Sequence, residues 1–92
     1  MEPRGLPPVD FATFALSLGT SALYHLGAVA HPETGQRIDP PELALARHTI
    51  DTLEMLQAKT RGNLDAKEAE LIESLLYELR LRFVEAEKAG AR

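Results

Sequence analysis

Apolar residues recur at three- and four-residue spacings in three separate runs of this chain, the period of a helix and not the alternation of a strand. In the middle run Leu43, Ala46, Ile50, Leu53 and Leu56, flanked by Leu45, form one stripe, with Arg47, Asp51 and Glu54 opposite. In the last, Ile72, Leu75, Leu76, Leu79 and Phe83 share a face that complements that stripe. In the first, Phe11, Phe14, Leu16, Leu18, Ala22, Leu23 and Leu26 cover more than half the circumference. The rest of that run is Thr13, Ser17, Thr20, Ser21 and Tyr24, without a formal charge, and a helix polar only through hydroxyls is expected to be buried or nearly so. No alternating β-branched segment, internal repeat or low-complexity tract is present. The pattern predicts an all-α, three-helix domain.

Punctuation residues set the boundaries. Residues 1–9 hold three prolines and Gly5, so they are expected to form a non-helical, loosely held arm. Asp10 is the predicted N-cap of a helix over 11–26, with Gly27 taking the left-handed conformation after it. A surface crossing with a turn at Pro32-Glu33-Thr34-Gly35 follows. Asp39, Pro40 and Glu42 then have the spacing of a capping box with proline in the first turn, predicting a second helix over 40–60. Gly62 and Asn63 tolerate positive φ, and Asp65 with Glu68 repeats the capping box, so a third helix is predicted over 66–88, with 89–92 fraying. So short a connection makes helices 2 and 3 an antiparallel hairpin within a single domain spanning 10–88.

Some apolar surface is left over. Tyr77, Leu81 and Val84 fall within roughly 60° of one another on the side of helix 3 away from its stripe. Along helix 1, Ala12, Ala15, Gly19 and Ala22 make a seam of small side chains that permits close approach of another helix. With only two other helices in the chain, both features predict self-association, a homodimer or larger helical bundle built on this seam and the Tyr77 face.

Ten Lys and Arg against fourteen Asp and Glu give a net charge of −4, which argues against nucleic acid as a partner. The absence of cysteine excludes disulfides, thiolate metal sites and cysteine nucleophiles. Residues 11–30 carry no charged side chain, yet their Gly, Ser, Thr, Tyr and His content argues against a membrane span. "AVA" at 28–30 imitates a signal cleavage box, but the leader pairs a single Arg with Glu2 and Asp10 where a signal would be positive.

Candidate chemistry is sparse. His48 and Asp51 lie at i and i+3 and could share a metal only with ligands from elsewhere; His25 and His31 belong to no ligand motif. Ser17, Ser21 and Ser74 lack a nucleophile context, and Glu68, Glu70 and Glu73 suit the start of a helix, so no catalytic residue, metal or cofactor is assigned. Lys59, Arg61 and Lys67 cluster around a helix start where an anion could settle, although Gly62, Asn63 and Asp65 explain the same stretch as a structural turn.

"FATFALSLGTSALYHLG", "PETG" and "IDTLEMLQAKTRGNLDAKEAELIESLLYELRLRFVE" together, over about residues 11–85, are similar in order and spacing to the bacterial family known as domain of unknown function 1844. The most specific part is "IDTLEMLQAKTRGNL", through Ile50-Asp51, Lys59-Thr60 and Gly62-Asn63-Leu64. The resemblance implies a short, all-helical, cytoplasmic protein and brings no activity, cofactor or catalytic residue with it. It also argues against a cleaved leader, since helix 1 belongs to the pattern. The function expected is that of a non-catalytic protein–protein interaction module acting as a homo-oligomer. The alternative is a small-molecule or metal-binding protein using His48, Asp51, Lys59 or Arg61, and peripheral membrane attachment through helix 1 ranks third.

Overall fold

A computed structural model of the chain describes Gly5, Leu6 and residues 8–90. Residues 1–4 and Pro7 of the expected arm, and Ala91 and Arg92 of the expected tail, lie outside the described residues. Three helices make up the fold: α1 (Phe11–His25), α2 (Leu43–Lys59) and α3 (Ala66–Gly90), with no strand among the described residues.

The start of α1 is as the sequence predicts. The Thr13 amide donates to Asp10 Oδ1 at 2.8 Å, and this amide followed by the Thr13 hydroxyl holds the Asp10 carboxyl below the usual carboxylate range. At the other end Leu26 is the C-cap, Gly27 has φ +77°, the Gly27 amide donates to the Tyr24 carbonyl, and the Ala28 amide reaches back to the Leu23 carbonyl, both at 2.9 Å. That pair of bonds is a Schellman closure, which satisfies two carbonyls the helix would otherwise leave orphaned. The turn expected at Pro32–Gly35 also forms, with the Gly35 amide donating to the His31 carbonyl at 2.9 Å and the His31 amide to that of Gln36 at 2.8 Å.

α2 begins later than expected. It starts at Leu43 and not at residue 40, its N-cap is Glu42, and neither Asp39 nor Glu42 makes the predicted capping box. Each residue before a proline is pushed into the extended region, so Asp39 and Pro40 cannot both enter a helix ahead of Pro41. The Glu42 side chain is engaged elsewhere: its Oε1 lies 3.0 Å from His25 Nδ1, while its amide donates to the His25 carbonyl at 2.8 Å. These two contacts fasten the start of α2 to the end of α1.

The α2–α3 connection at residues 60–65 is the expected hairpin turn. The Thr60 hydroxyl donates to the Leu56 carbonyl at 2.7 Å, the Asn63 amide to that of Thr60 at 2.8 Å, and Gly62 sits at φ +89°. Asp65 and Glu68 form a reciprocal capping box, at 2.8 Å for the Glu68 amide to Asp65 Oδ1 and 3.0 Å for the Asp65 amide to Glu68 Oε1. α3 continues two residues beyond the predicted end, to Gly90, where Ala86 and Ala89 face Leu26, Ala28 and Pro41 across an open surface depression.

Each helix packs on both others. Ala15, Ala22, Ile50, Leu53, Ile72, Leu76 and Leu79 form the buried core, with Leu18, Leu56, Leu75 and Phe83 packed on its margin. The stripes read from the α2 and α3 sequence are therefore the faces that meet. Gly19 of α1 lies against Leu75, and Leu26 shares a surface depression with Arg82 and Ala89, so α1 and α3 run the same way with α2 antiparallel to both.

Candidate functional site

The outer face of α3 is where the apolar surplus lies. Tyr77, Leu81 and Val84 project away from the core stripe and are 69%, 45% and 43% exposed. Isolated surface apolars are ordinary, whereas three at i, i+4 and i+7 on one helix make a continuous dry strip. Phe14 and Leu16 of α1 are also half exposed, but they stand on opposite flanks of that helix, about 160° apart at 100° per residue.

The small-residue seam of α1 is a correction. Ala15, Gly19 and Ala22 are buried within the protomer and Ala12 is half-buried, so the seam expected to meet a second copy instead receives this chain's own α3. A β-carbon built on Gly19 would stand 3.0 Å from Leu75 Cδ2, which shows how closely the two helices approach. The seam was read correctly as a place for a helix to lie; the occupant is internal. The hydroxyl face of α1, expected to be buried or nearly so, is instead open: Ser17, Thr20 and Ser21 are exposed, and the Ser17 hydroxyl is turned back onto the Phe14 carbonyl at 2.8 Å.

The basic residues at the hairpin do not share the depression beside it. Lys59, Arg61 and Lys67 are all exposed, and only Arg61 lines the 220 Å³ depression there, which it shares with Gln57, Leu64, Ile72 and Glu73. The Glu73 carboxylate makes that depression a poor seat for an anion. Gly62, Asn63 and Asp65 hold the turn as described above.

The histidines are placed in three different settings. His48 is exposed, and the neighbouring Asp51 carboxylate lies 3.4 Å from the Arg47 guanidinium. Among the described residues no three His, Asp or Glu side chains gather where a metal could be held. His25 ties α1 to α2 through Glu42, and His31 Nδ1 accepts from the Glu33 and Thr34 amides at 3.1 and 3.4 Å. The Tyr24 ring lies between these two imidazoles, 5.5 Å from each centroid. These are joints of the crossing segment, positioned by the fold and absent from any motif reading.

A groove of 270 Å³ runs between α2 and α3 over Ile50 and Phe83, with Val84, the member of the outer strip nearest α2, at its edge. The Arg47 guanidinium sits 5.6 Å above the Phe83 ring, and Arg80 Nε donates to Glu54 at 3.1 Å, so charges of both signs bracket an apolar floor. Sequence reasoning missed this pairing; its signal was opposite charge on the facing edges of a predicted hairpin.

Compared with known families, residues 8–85 match the model described as Domain of unknown function (DUF1844). The chain belongs to the DUF1844 family. The match takes in α1, α2, the hairpin turn and α3 as far as Glu85. No curated protein and no solved structure matches this DUF1844 chain. No helix among its described residues is long and apolar enough to cross a membrane.

Proposed function

We propose that this DUF1844 protein is a non-catalytic interaction module of the cytoplasm that self-associates through the outer face of α3 and offers the assembled surface to another protein. The observation that carries the reading is the strip of Tyr77, Leu81 and Val84, exposed on a helix whose opposite face already fills the core. Covering apolar area releases about 25 cal/mol per Å², a gain that two copies share when they bury the same strip. Anion or metal binding has less support, because Arg61 shares its depression with the Glu73 carboxylate and no three His, Asp or Glu side chains gather among the described residues.

Sedimentation equilibrium or light scattering of the wild type and of Leu81→Glu tests the proposal. The wild type should form a reversible dimer or larger species, and a carboxylate at residue 81 should return it to a monomer with its helical circular dichroism intact. Met55→Glu, at an exposed residue on a different helix, serves as the control that leaves assembly unchanged. A wild type that stays monomeric up to about 100 μM, a strength at which even weak specific interfaces populate, would sink the reading.

A further inference from the structure

The outward side of α3 carries more than three apolar residues. Glu70, Ser74, Tyr77, Leu81, Val84 and Lys88 are all exposed and follow one another at spacings of four, three, four, three and four. That is the a/d alternation of a two-stranded coiled coil, with all six within about 80° on the wheel. The strip is also graded, acidic at its first position, apolar in the middle and basic at its last.

From this grading we infer that the occupant of the strip is a second copy of the same chain, laid antiparallel; the inference rests on the self-association proposed above. In an antiparallel pair each a position meets a d position of the other helix. Centring the pair level with Leu79 sets Leu81 against Tyr77, Ser74 against Val84 and Lys88 against Glu70, each contact occurring twice about the two-fold axis. The smallest residue thus faces a β-branched one, the aromatic ring faces leucine, and both ends close on opposite charges. A parallel pair in the same register would stack Glu70 on Glu70 and Lys88 on Lys88, two like-charge contacts beside the seam. Flanking Glu73 and Glu87 approach each other across the antiparallel pair, and on the other flank Glu78 approaches its own copy; Glu73 and Glu87 are exposed and Glu78 is bound to Arg82, so this repulsion is screened by salt or offset. Arg80, which lies on the Glu73 flank, is already bound to Glu54. The paired stretch is about 27 Å long at 1.5 Å per residue, a small interface that makes a reversible dimer and not an obligate one.

The chain has no cysteine, so directed crosslinking on the full protein reads the geometry without background. Ser74→Cys and Val84→Cys are both at exposed positions. Oxidised together, the two variants should give a mixed disulfide dimer at least about fivefold more efficiently than either gives alone, since only the antiparallel pair apposes them. Preferential crosslinking of Ser74→Cys with itself, in a protein that still dimerises by sedimentation, would overturn the antiparallel inference and leave self-association standing. A protein that neither sediments as a dimer nor crosslinks in any combination would overturn both. Charge exchange gives a second readout: Glu70→Lys and Lys88→Glu should each weaken the dimer about three- to tenfold, and the double exchange should restore it. A double variant no tighter than the weaker single one counts against the pairing of these two residues.

Discussion

Replacing Gly27 by alanine tests how the crossing segment is seated on the end of α1. Two costs are added at that site. Gly27 sits at φ +77°, where an L side chain loses about 1–2 kcal/mol. A β-carbon there would also stand 2.6 Å from the Ile38 carbonyl oxygen. Favourable C–H···O approaches are about 3.3 Å or longer, so the overlap is roughly 0.7 Å. It falls on backbone, which no rotamer change can relieve, and overpacking of this kind costs about 1–3 kcal/mol. Stiffening of the unfolded chain returns about 0.4–1 kcal/mol.

Gly62→Ala is the matched comparison. Gly62 has φ +89°, but nothing stands within 4 Å of its added β-carbon, so only the conformational cost applies. The two variants should therefore differ by the clash alone, about 1–3 kcal/mol against a total stability of about 5–14 kcal/mol for a chain of this length. At about 4–8 °C per kcal/mol, Gly27→Ala should melt roughly 5–20 °C below Gly62→Ala in a circular dichroism scan. Equal melting temperatures would mean that the Ile38 carbonyl does not lie over Gly27, and the seating of residues 28–41 on the helices would have to be redrawn.

Other perturbations read the remaining joints. Leu53→Ala empties a fully buried site at the centre of the core and should cost about 2–5 kcal/mol in urea unfolding, whereas Met55→Ala, half exposed two residues on, should fall within about 0.5 kcal/mol of wild type. Asp65→Ala removes the carboxylate that accepts from the Glu68 amide, leaving the residue-65 amide to donate to Glu68, and should cost about 0.5–2 kcal/mol with α2 unaffected by amide exchange. The Asp10 carboxyl is lowered in the folded state, so its contribution is complete above the unfolded value and is lost as pH falls through the folded one. Asp10→Asn keeps the accepting oxygen without the titration; its melting temperature relative to wild type should rise as pH drops below the ordinary carboxylate range, and a pH-independent difference would refute the assignment.

What was legible in the chain was mostly what is local. The 3.6-residue period identified all three helices and the buried stripes of α2 and α3, because each face needs only its own neighbours to declare itself. Asp10, Gly27, Gly62 and the Asp65–Glu68 pair could be read for the same reason: each acts on amides or carbonyls within five residues of itself. The start of α2 was misread because a local signal lost to two others, the extended preference imposed by Pro41 and the His25 side chain seventeen residues away. The seam of α1 was half legible. Small residues at helical spacing state that a backbone comes close, but not whose; Leu75 of the same chain occupies it, and only the packed structure could say so. For the outer α3 face the sequence supplied Tyr77, Leu81 and Val84, and exposure throughout the longer strip then brought in Glu70, Ser74 and Lys88.

The two faces of α3 depend on the same support. α3 has 25 residues and its hairpin partner α2 has 17, so α2 alone is too short to back the whole of it. In the part nearest Lys88, Ala86 and Ala89 face Leu26, Ala28 and Pro41 across an open depression. The far wall of that depression is positioned by the Schellman closure around Gly27 and by the His25–Glu42 contacts, which fix where the crossing segment leaves α1 and where α2 begins. The residues that stop α1 thus also set the surface that the last turns of α3 face. Without those turns Val84 and Lys88 would have no fixed register with Tyr77, and the outward strip would end within one turn of Leu81. The crossing segment, although outside the strip, therefore borders the stretch of α3 on which the proposed interface depends.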